Sequence, residues 1–176
     1  MNKILKLTII LFLVCAVVAG ILGAVNEITA ERIRVQNELK TAKAYNTVLP
    51  ADSYTPIDFS HHEYPTLDAV AKASGDLGYV VQTTFSGAQG SITMVVGVKP
   101  DYTCSGISII SHSETSGLGA VAASSSEKGV SFRDSFIGKD ESLRVADIDA
   151  ITGATITTKA VTYAVRDVIE AVKELG

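Results

Sequence analysis

Cysteine occurs twice in these 176 residues, and basic side chains are outnumbered by acidic ones, 15 to 19. Each scarcity excludes something. Cys15 and Cys104 lack the clustered spacing of iron–sulfur or zinc ligands. Cys15 falls in an apolar run, so Cys104 has no partner for an intramolecular disulfide in the polar part of the chain. Cys104 reads as a small buried hydrophobe on a strand and Cys15 as a thiol in lipid, since bulky Val14 disfavours a lipoprotein site there. Without Lys3 and Lys6, 13 basic residues face 19 acidic ones, a net charge of about −6. That balance disfavours nucleic acid and anionic membrane surfaces as partners. Histidine occurs three times. His61 and His62 are adjacent and point to opposite sides of a strand, so no metal site is expected. Internal repeats and low-complexity tracts are absent, and Ala122–Ser126 reads as a flexible surface stretch.

What is present begins with 19 uncharged residues, Leu7 to Val25. At about 1.5 Å per residue they cross most of a hydrocarbon core about 30 Å thick. Leu22-Gly23-Ala24 offers a signal-peptidase alternative, but the run exceeds an ordinary signal core and has no clear Ala-x-Ala end, which favours a retained anchor. Lys3 and Lys6 precede the run and no acid occurs before Glu27, placing the N-terminus in the cytoplasm and the remainder outside. Asn26 to Leu49 continues as a charged helical stalk closed by Pro50, and Pro56, Pro65 and Ser60-His61-His62-Glu63 mark a linker over 51–66. The expected organisation is a cytoplasmic tip and anchor over 1–25, stalk and linker over 26–60, and an extracytoplasmic domain over 61–176.

Within that domain a short helix is expected over Thr66–Ala73. Strands are expected over Gly78–Phe85, Ser91–Lys99 and Cys104–Ser111, rich in Val, Ile, Thr and Tyr. Ser86–Gly90 reads as a hairpin loop; it opens no helix, which argues against a phosphate cradle. Val161, Val165, Val168, Val172 and Leu175 alternate spacings of four and three, an amphipathic C-terminal helix. The fold class is α+β, a small antiparallel sheet flanked by helices. Gly117-Leu118-Gly119-Ala120-Val121-Ala122 matches Gly-x-Gly-x-x-Ala, with Glu141 about 20 residues on, but Ala-Ser-Ser-Ser-Glu-Lys-Gly129 lacks the periodicity of a crossover helix. A dinucleotide site ranks low.

Two loop segments carry the chemistry. Asp149-Ala150-Ile151-Thr152-Gly153-Ala154-Thr155 places a hydroxyl beside two minimal side chains, ahead of a helix whose N-terminus would face an anion. Thr157 and Thr158 are suited to cap that helix. Taken alone, Thr-Gly-Ala-Thr is equally well a turn into a capped helix. His112-Ser113-Glu114-Thr115-Ser116-Gly117-Leu118-Gly119-Ala120 is the second segment. The first resembles the Asp-x-x-Thr-Gly-Ala-Thr signature at which a flavin transferase esterifies threonine with FMN, and the second resembles the Glu-Thr-x-Gly-Leu-Gly segment that accompanies it. Together, and with the N-terminal membrane segment, the stalk and Phe136-Ile137-Gly138-Lys139, they make the chain similar to the RnfG family, the FMN-binding subunit of the Rnf electron-transport complex. That family is related to NqrC of the sodium-translocating NADH:quinone reductase. Ser116 departs from the proline common before Gly117 and removes a fixed φ.

The resemblance implies FMN joined through a phosphodiester to Thr155. Glu114, Thr115, Gly117, Leu118, Gly119, Thr152, Gly153, Ala154 and Thr157 would line the cofactor, and the transferase would read Asp149. Glu114 and Thr115 would hydrogen-bond the flavin edge or stabilise the loop, and Leu118 would wall the ring. Asp149 also suits a turn before the helix. His112 reads as loop-shaping, Lys139 and Lys159 as solvated cations that could reach phosphate, and Thr157 and Thr158 as acceptors in the wrong register. The implied function is an electron carrier between ferredoxin and NAD in an ion-translocating membrane complex. It would have no catalytic residue and no turnover alone, with other complex subunits and a flavin transferase as partners. Alternatives are an NqrC-like component of a quinone reductase, a free-standing covalent flavoprotein, or a tethered non-redox binding module.

Overall fold

The computed structural model describes residues 3–60, 62 and 64–175; His61 and Glu63, invoked above for the adjacent histidines and the linker, lie outside the described residues. The chain divides into two compact units, Met1–Leu39 and Lys40–Gly176.

Helix α1 runs unbroken over Lys3–Val48. Its apolar part, Leu7–Val25, is exposed around the whole circumference, so it has no inward stripe. It is the one described helix long and apolar enough to cross a membrane. Thr8 and Thr29 donate their hydroxyls to carbonyls four residues back, Ile4 O at 3.1 Å and Val25 O at 2.8 Å, which for Thr8 removes a free donor from the apolar helix surface. Past Val25 the surface becomes charged, and Arg34 bridges Glu31 and Glu38 at the spacings where helical neighbours meet. Pro50 stops the helix, because a proline disfavours helical geometry in the residue before it.

The second unit is built on five antiparallel strands in sequence order: β1 Tyr54–Ile57, β2 Leu67–Ala73, β3 Gly78–Ser86, β4 Ser91–Val98 and β5 Cys104–His112. Strands β3, β4 and β5 fall where their β-branched runs place them. Strand β2 corrects the helix expected over 66–73. Its alanines favour a helix, but residues 70 to 73 pair in unbroken register with β1 on one side and β3 on the other, and tertiary pairing overrides a weak propensity. Strand β1 lies in the stretch read as linker. Pro56 is tolerated there because β1 is an edge strand with one neighbour.

Both faces of the sheet are covered, so Met94-Val95-Val96-Gly97-Val98 reads as a continuous apolar run. On one face Val80 and Val95 pack with Ala44, Val48 and Leu49 from the end of α1. Ser105 donates its hydroxyl to Val48 O at 2.6 Å, and the Tyr54 hydroxyl donates to Leu49 O at 2.8 Å, satisfying carbonyls that a helix end leaves bare. A Cβ at Gly97 would lie 2.9 Å from Val48 O, so glycine lets this chain segment approach.

On the other face Val81, Met94 and Val96 pack against α3, Thr155–Leu175. Val161, Val165, Val168, Ile169 and Val172 are fully buried, each worth about 1.5–3 kcal/mol over exposure. A short helix α2, Glu127–Asp134, was not foreseen. Ser126 caps it by accepting the Gly129 amide at 3.2 Å, and its Phe132 meets Phe136 edge-on in the same core. The Ala122–Ser126 stretch ahead of it is tied rather than loose: Ala122 is buried, and Arg133 donates to Ala122 O and Ser124 O at 2.6 and 2.9 Å. Phe136–Lys139 is structural, since Gly138 and Lys139 exchange backbone bonds with Cys104. The Cys104 thiol is pushed up to about 12 by burial, so it stays protonated and inert.

Candidate functional site

Helix α3 begins at Thr155, directly after Gly153 at φ +78° and Ala154. The positive φ needs glycine, and it swings the chain from the 149–152 loop into the helix. The Thr158 amide is the first to bond back into the helix, to Ala154 O at 2.9 Å. The amides of residues 155–157 therefore have no acceptor within the helix, and they form its positive end. Thr155 and Ile156 are exposed. Thr157 and Thr158 are buried and do not cap the helix, as the sequence suggested they would. Thr157 donates its hydroxyl to Glu114 Oε2, and Thr158 Oγ1 accepts the Ile151 amide at 3.3 Å. Of the four hydroxyls in Thr152–Thr158, the two inner ones are committed to the fold.

Glu114 is the hub of this region. Only 8% of it is exposed. Its Oε1 accepts the amides of Ala88 and Gln89 at 2.8 and 3.1 Å, while Oε2 accepts the Thr157 hydroxyl. One carboxylate thus joins the loop after β5, the β3–β4 turn and the first turn of α3. Burial pushes its carboxyl up, but the Thr157 hydroxyl, the Gln89 and Ala88 amides and the nearby His112 outweigh that and hold it below the ordinary glutamate range. Glycines make the room: a Cβ at Gly87 would collide with Oε1, and one at Gly119 with Oε2. His112 shapes the loop by accepting the Glu114 amide at Nδ1, 3.3 Å away.

Above the hub opens a cleft of about 420 Å³ lined by Ala88, Gln89, Thr115, Leu118, Gly153 and Thr155, among others, within the range of cofactor clefts. Its walls include Leu118, 44% exposed, and Ile156, 64% exposed. Leu118 reaches the 149–155 loop, because a Cβ at Gly153 would lie 3.0 Å from its Cδ2. The two sequence segments are therefore neighbours in space. Glu114, Thr115, Leu118, Gly119, Gly153, Ala154, Thr155 and Thr157 converge on this cleft, whereas Gly117, Thr152 and Asp149 line a second one of about 520 Å³ with Lys128 and Phe132 of α2.

The sequence did not point to Ala88 and Gln89. The β3–β4 loop reads in sequence as a plain hairpin, and the long-range bonds to Glu114 bring it to the site. Lys139 and Lys159 do not line the cleft. Glu141, spaced like a ribose-binding acid, pairs with Lys173 at 2.6 Å, and Gly119–Ala123 is a 3-10 turn rather than the start of a crossover helix. An exposed hydroxyl beside free helix-terminal amides and an apolar-walled cleft suit a phosphate carrying a planar ring. The residues present fit FMN.

Known proteins point the same way. Residues 87–170 match the FMN-binding domain family, and residues 1–48 match the RnfG N-terminal region. The fold is similar to that of the C subunit of the Na(+)-translocating NADH-quinone reductase from Parabacteroides distasonis, with a TM-score of 0.55 and 21% identity over 82% of this chain and 96% of that one. The chain is 33% identical to the G subunit of the Na(+)-translocating ferredoxin:NAD(+) oxidoreductase complex of Acetobacterium woodii, over 98% of its length and 93% of the relative's. It is 34% identical to the G subunit of the proton-translocating ferredoxin:NAD(+) oxidoreductase complex of Clostridium ljungdahlii, over 97% of its length and 92% of the relative's. Carrying both matched regions and aligned with these relatives nearly end to end, the chain belongs to the RnfG family of ion-translocating oxidoreductase complexes.

Proposed function

We propose that this chain is an electron-carrying subunit of a ferredoxin:NAD oxidoreductase complex, holding FMN as a phosphodiester on Thr155 Oγ1. The observation that carries the reading is the split in the first turn of α3: Thr155 stands exposed at the cleft while Thr157 and Thr158 are buried and hydrogen-bonded. The attached group has the mass of FMN less one water, and a transferase would deliver it from an activated flavin nucleotide, the Thr155 hydroxyl forming the new P–O bond as the donor's nucleoside monophosphate leaves. The helix-terminal amides would face the phosphate, Leu118 and Ile156 would flank the ring, and Gln89 and Thr115 supply polar groups at the rim. The bound flavin supplies the redox chemistry, and the chain orients it and limits its solvent exposure. No general acid or base is required of the protein for the carriage of electrons.

Asp149 lines the second cleft, whose lining does not include Thr155. That placement suits contact with the transferase during maturation rather than with the attached flavin. Lys3 and Lys6 ahead of the apolar stretch support a cytoplasmic N-terminus and an extracytoplasmic flavin domain. The proposed division is an anchor over 1–25, a stalk and linker over 26–60 and a flavin domain over 61–176, with the linker supplying the sheet's edge strand β1 at Tyr54–Ile57. The two relatives named above carry different ions in their names, so the coupling ion is a property of the particular complex.

Purification of the full chain from membranes in which a flavin transferase is coproduced tests the reading. The expected result is a denatured band that fluoresces as flavin, with the other complex subunits copurifying when they are present. A dark band under those conditions would contradict it.

A further inference from the structure

Glu114 is a carboxylate for which the resemblance implies either the flavin edge or loop stabilisation, and the structure commits both of its oxygens to the protein. Oε1 takes two amides of the β3–β4 turn, and Oε2 takes the hydroxyl of Thr157, two residues past Thr155. Every one of these partners donates, the pattern of an ionised carboxylate. Gly87 and Gly119 are closed around it so tightly that neither could carry a Cβ without displacing it. The group is thus a built-in anion beneath the cleft, shared by three segments far apart in the sequence.

We propose that Glu114 is a positioning residue that clamps the 87–90 turn to the first turn of α3, and that its fixed negative charge lowers the reduction potential of a flavin held on Thr155. The inference rests on the covalent-flavin reading above. The clamp shapes the cleft, because the two segments it joins, Ala88-Gln89 and Thr155–Thr157, both line it. The charge acts through space: reduction adds electron density to the ring, and a buried anion nearby disfavours it. At an effective dielectric of about 20, a buried unit charge lining the same cleft shifts such an equilibrium by roughly tenfold.

The variants separate the two effects. In Glu114→Gln the amide oxygen can still accept from Ala88 and Gln89, and the amide nitrogen can donate to Thr157 Oγ1, so the clamp survives without the charge. In Glu114→Ala both are lost. The full-length chain is produced with a flavin transferase, its flavin content is measured first, and flavinated samples are titrated potentiometrically. Amide exchange over residues 87–90 is followed in unflavinated chain made without the transferase. Glu114→Gln is expected to carry flavin at the wild-type level, to keep 87–90 protected, and to have a midpoint raised by about tenfold in equilibrium, about 30 mV for a two-electron couple. Glu114→Ala is expected to lose protection at 87–90 and to take up less flavin. A wild-type midpoint in Glu114→Gln, or unchanged protection in Glu114→Ala, would overturn the inference. A wild-type chain without attached flavin would instead overturn the reading on which it rests.

Discussion

The first turn of α3 has two faces, and they treat the same side chain in opposite ways. On the outer face Thr155 is exposed beside the cleft; on the inner face Thr157 and Thr158 are 1% and 0% exposed and hydrogen-bonded. Threonine chemistry is identical at all three positions, so on the proposed reading access is what singles out Thr155. The inner hydroxyls do a different task, holding the Glu114 hub and the 151 amide in place. The outer hydroxyl is left free because the inner ones carry the structure.

The largest effect should come from the outer face. Thr155→Ala is expected to abolish attached flavin completely while leaving the melting temperature within a degree or so of wild type, because an exposed hydroxyl with no fold partner contributes little. Fluorescence of the denatured band and a thermal melt of the full chain check both halves. On the inner face the pattern should reverse. Thr157→Val keeps the volume but strips the donor from Glu114 Oε2, so stability should fall by about 1–3 kcal/mol with the flavin still attached. Gly119→Ala should cost a similar amount, about 1–3 kcal/mol, by forcing a methyl against Oε2. Loss of flavin in Thr157→Val at full stability would erase the distinction between the faces.

Acid should act on the inner face alone. The Glu114 carboxyl is held below its ordinary value in the folded chain. Its contribution to stability is therefore fully present above the unfolded glutamate pKa of about 4.3 and is lost as pH falls through the lower folded value. Denaturant midpoints measured from pH 7 down to pH 3 should decline more steeply in wild type than in Glu114→Gln. The smallest effect is expected at Leu118→Ala. That side chain is 44% exposed, so stability should change by less than about 1 kcal/mol, with flavin retained and its ring more open to collisional quenchers.

Much of the fold was legible in the sequence. Helix α1, strands β3 to β5 and helix α3 follow from uncharged length, β-branched runs and four–three spacing. Strand β2 was not, because Leu-Asp-Ala-Val-Ala-Lys-Ala has helical composition and only its two neighbours make it a strand. Strand β1 was hidden by Pro56, and α2 by a short, polar sequence whose capping serine looked like part of a flexible run. At the site, Thr155 was legible as a motif position. The hub was not, since Glu114 meets its partners across 25 to 43 residues of sequence, and no local pattern announces which carboxylate will be buried. The same holds for Ala88 and Gln89, whose role is that of two backbone amides and a wall.

The most direct measurement is fragmentation mass spectrometry of the tryptic peptide Val145–Lys159 from flavinated full-length protein. That peptide contains Thr152, Thr155, Thr157 and Thr158, so the fragments discriminate the exposed acceptor from its neighbours. The mass of FMN less one water on fragments that include Thr155, with Thr152, Thr157 and Thr158 unmodified, is the predicted result. Flavin mass on Thr157 or Thr158, or an unmodified peptide from protein matured with an active transferase, would contradict the account.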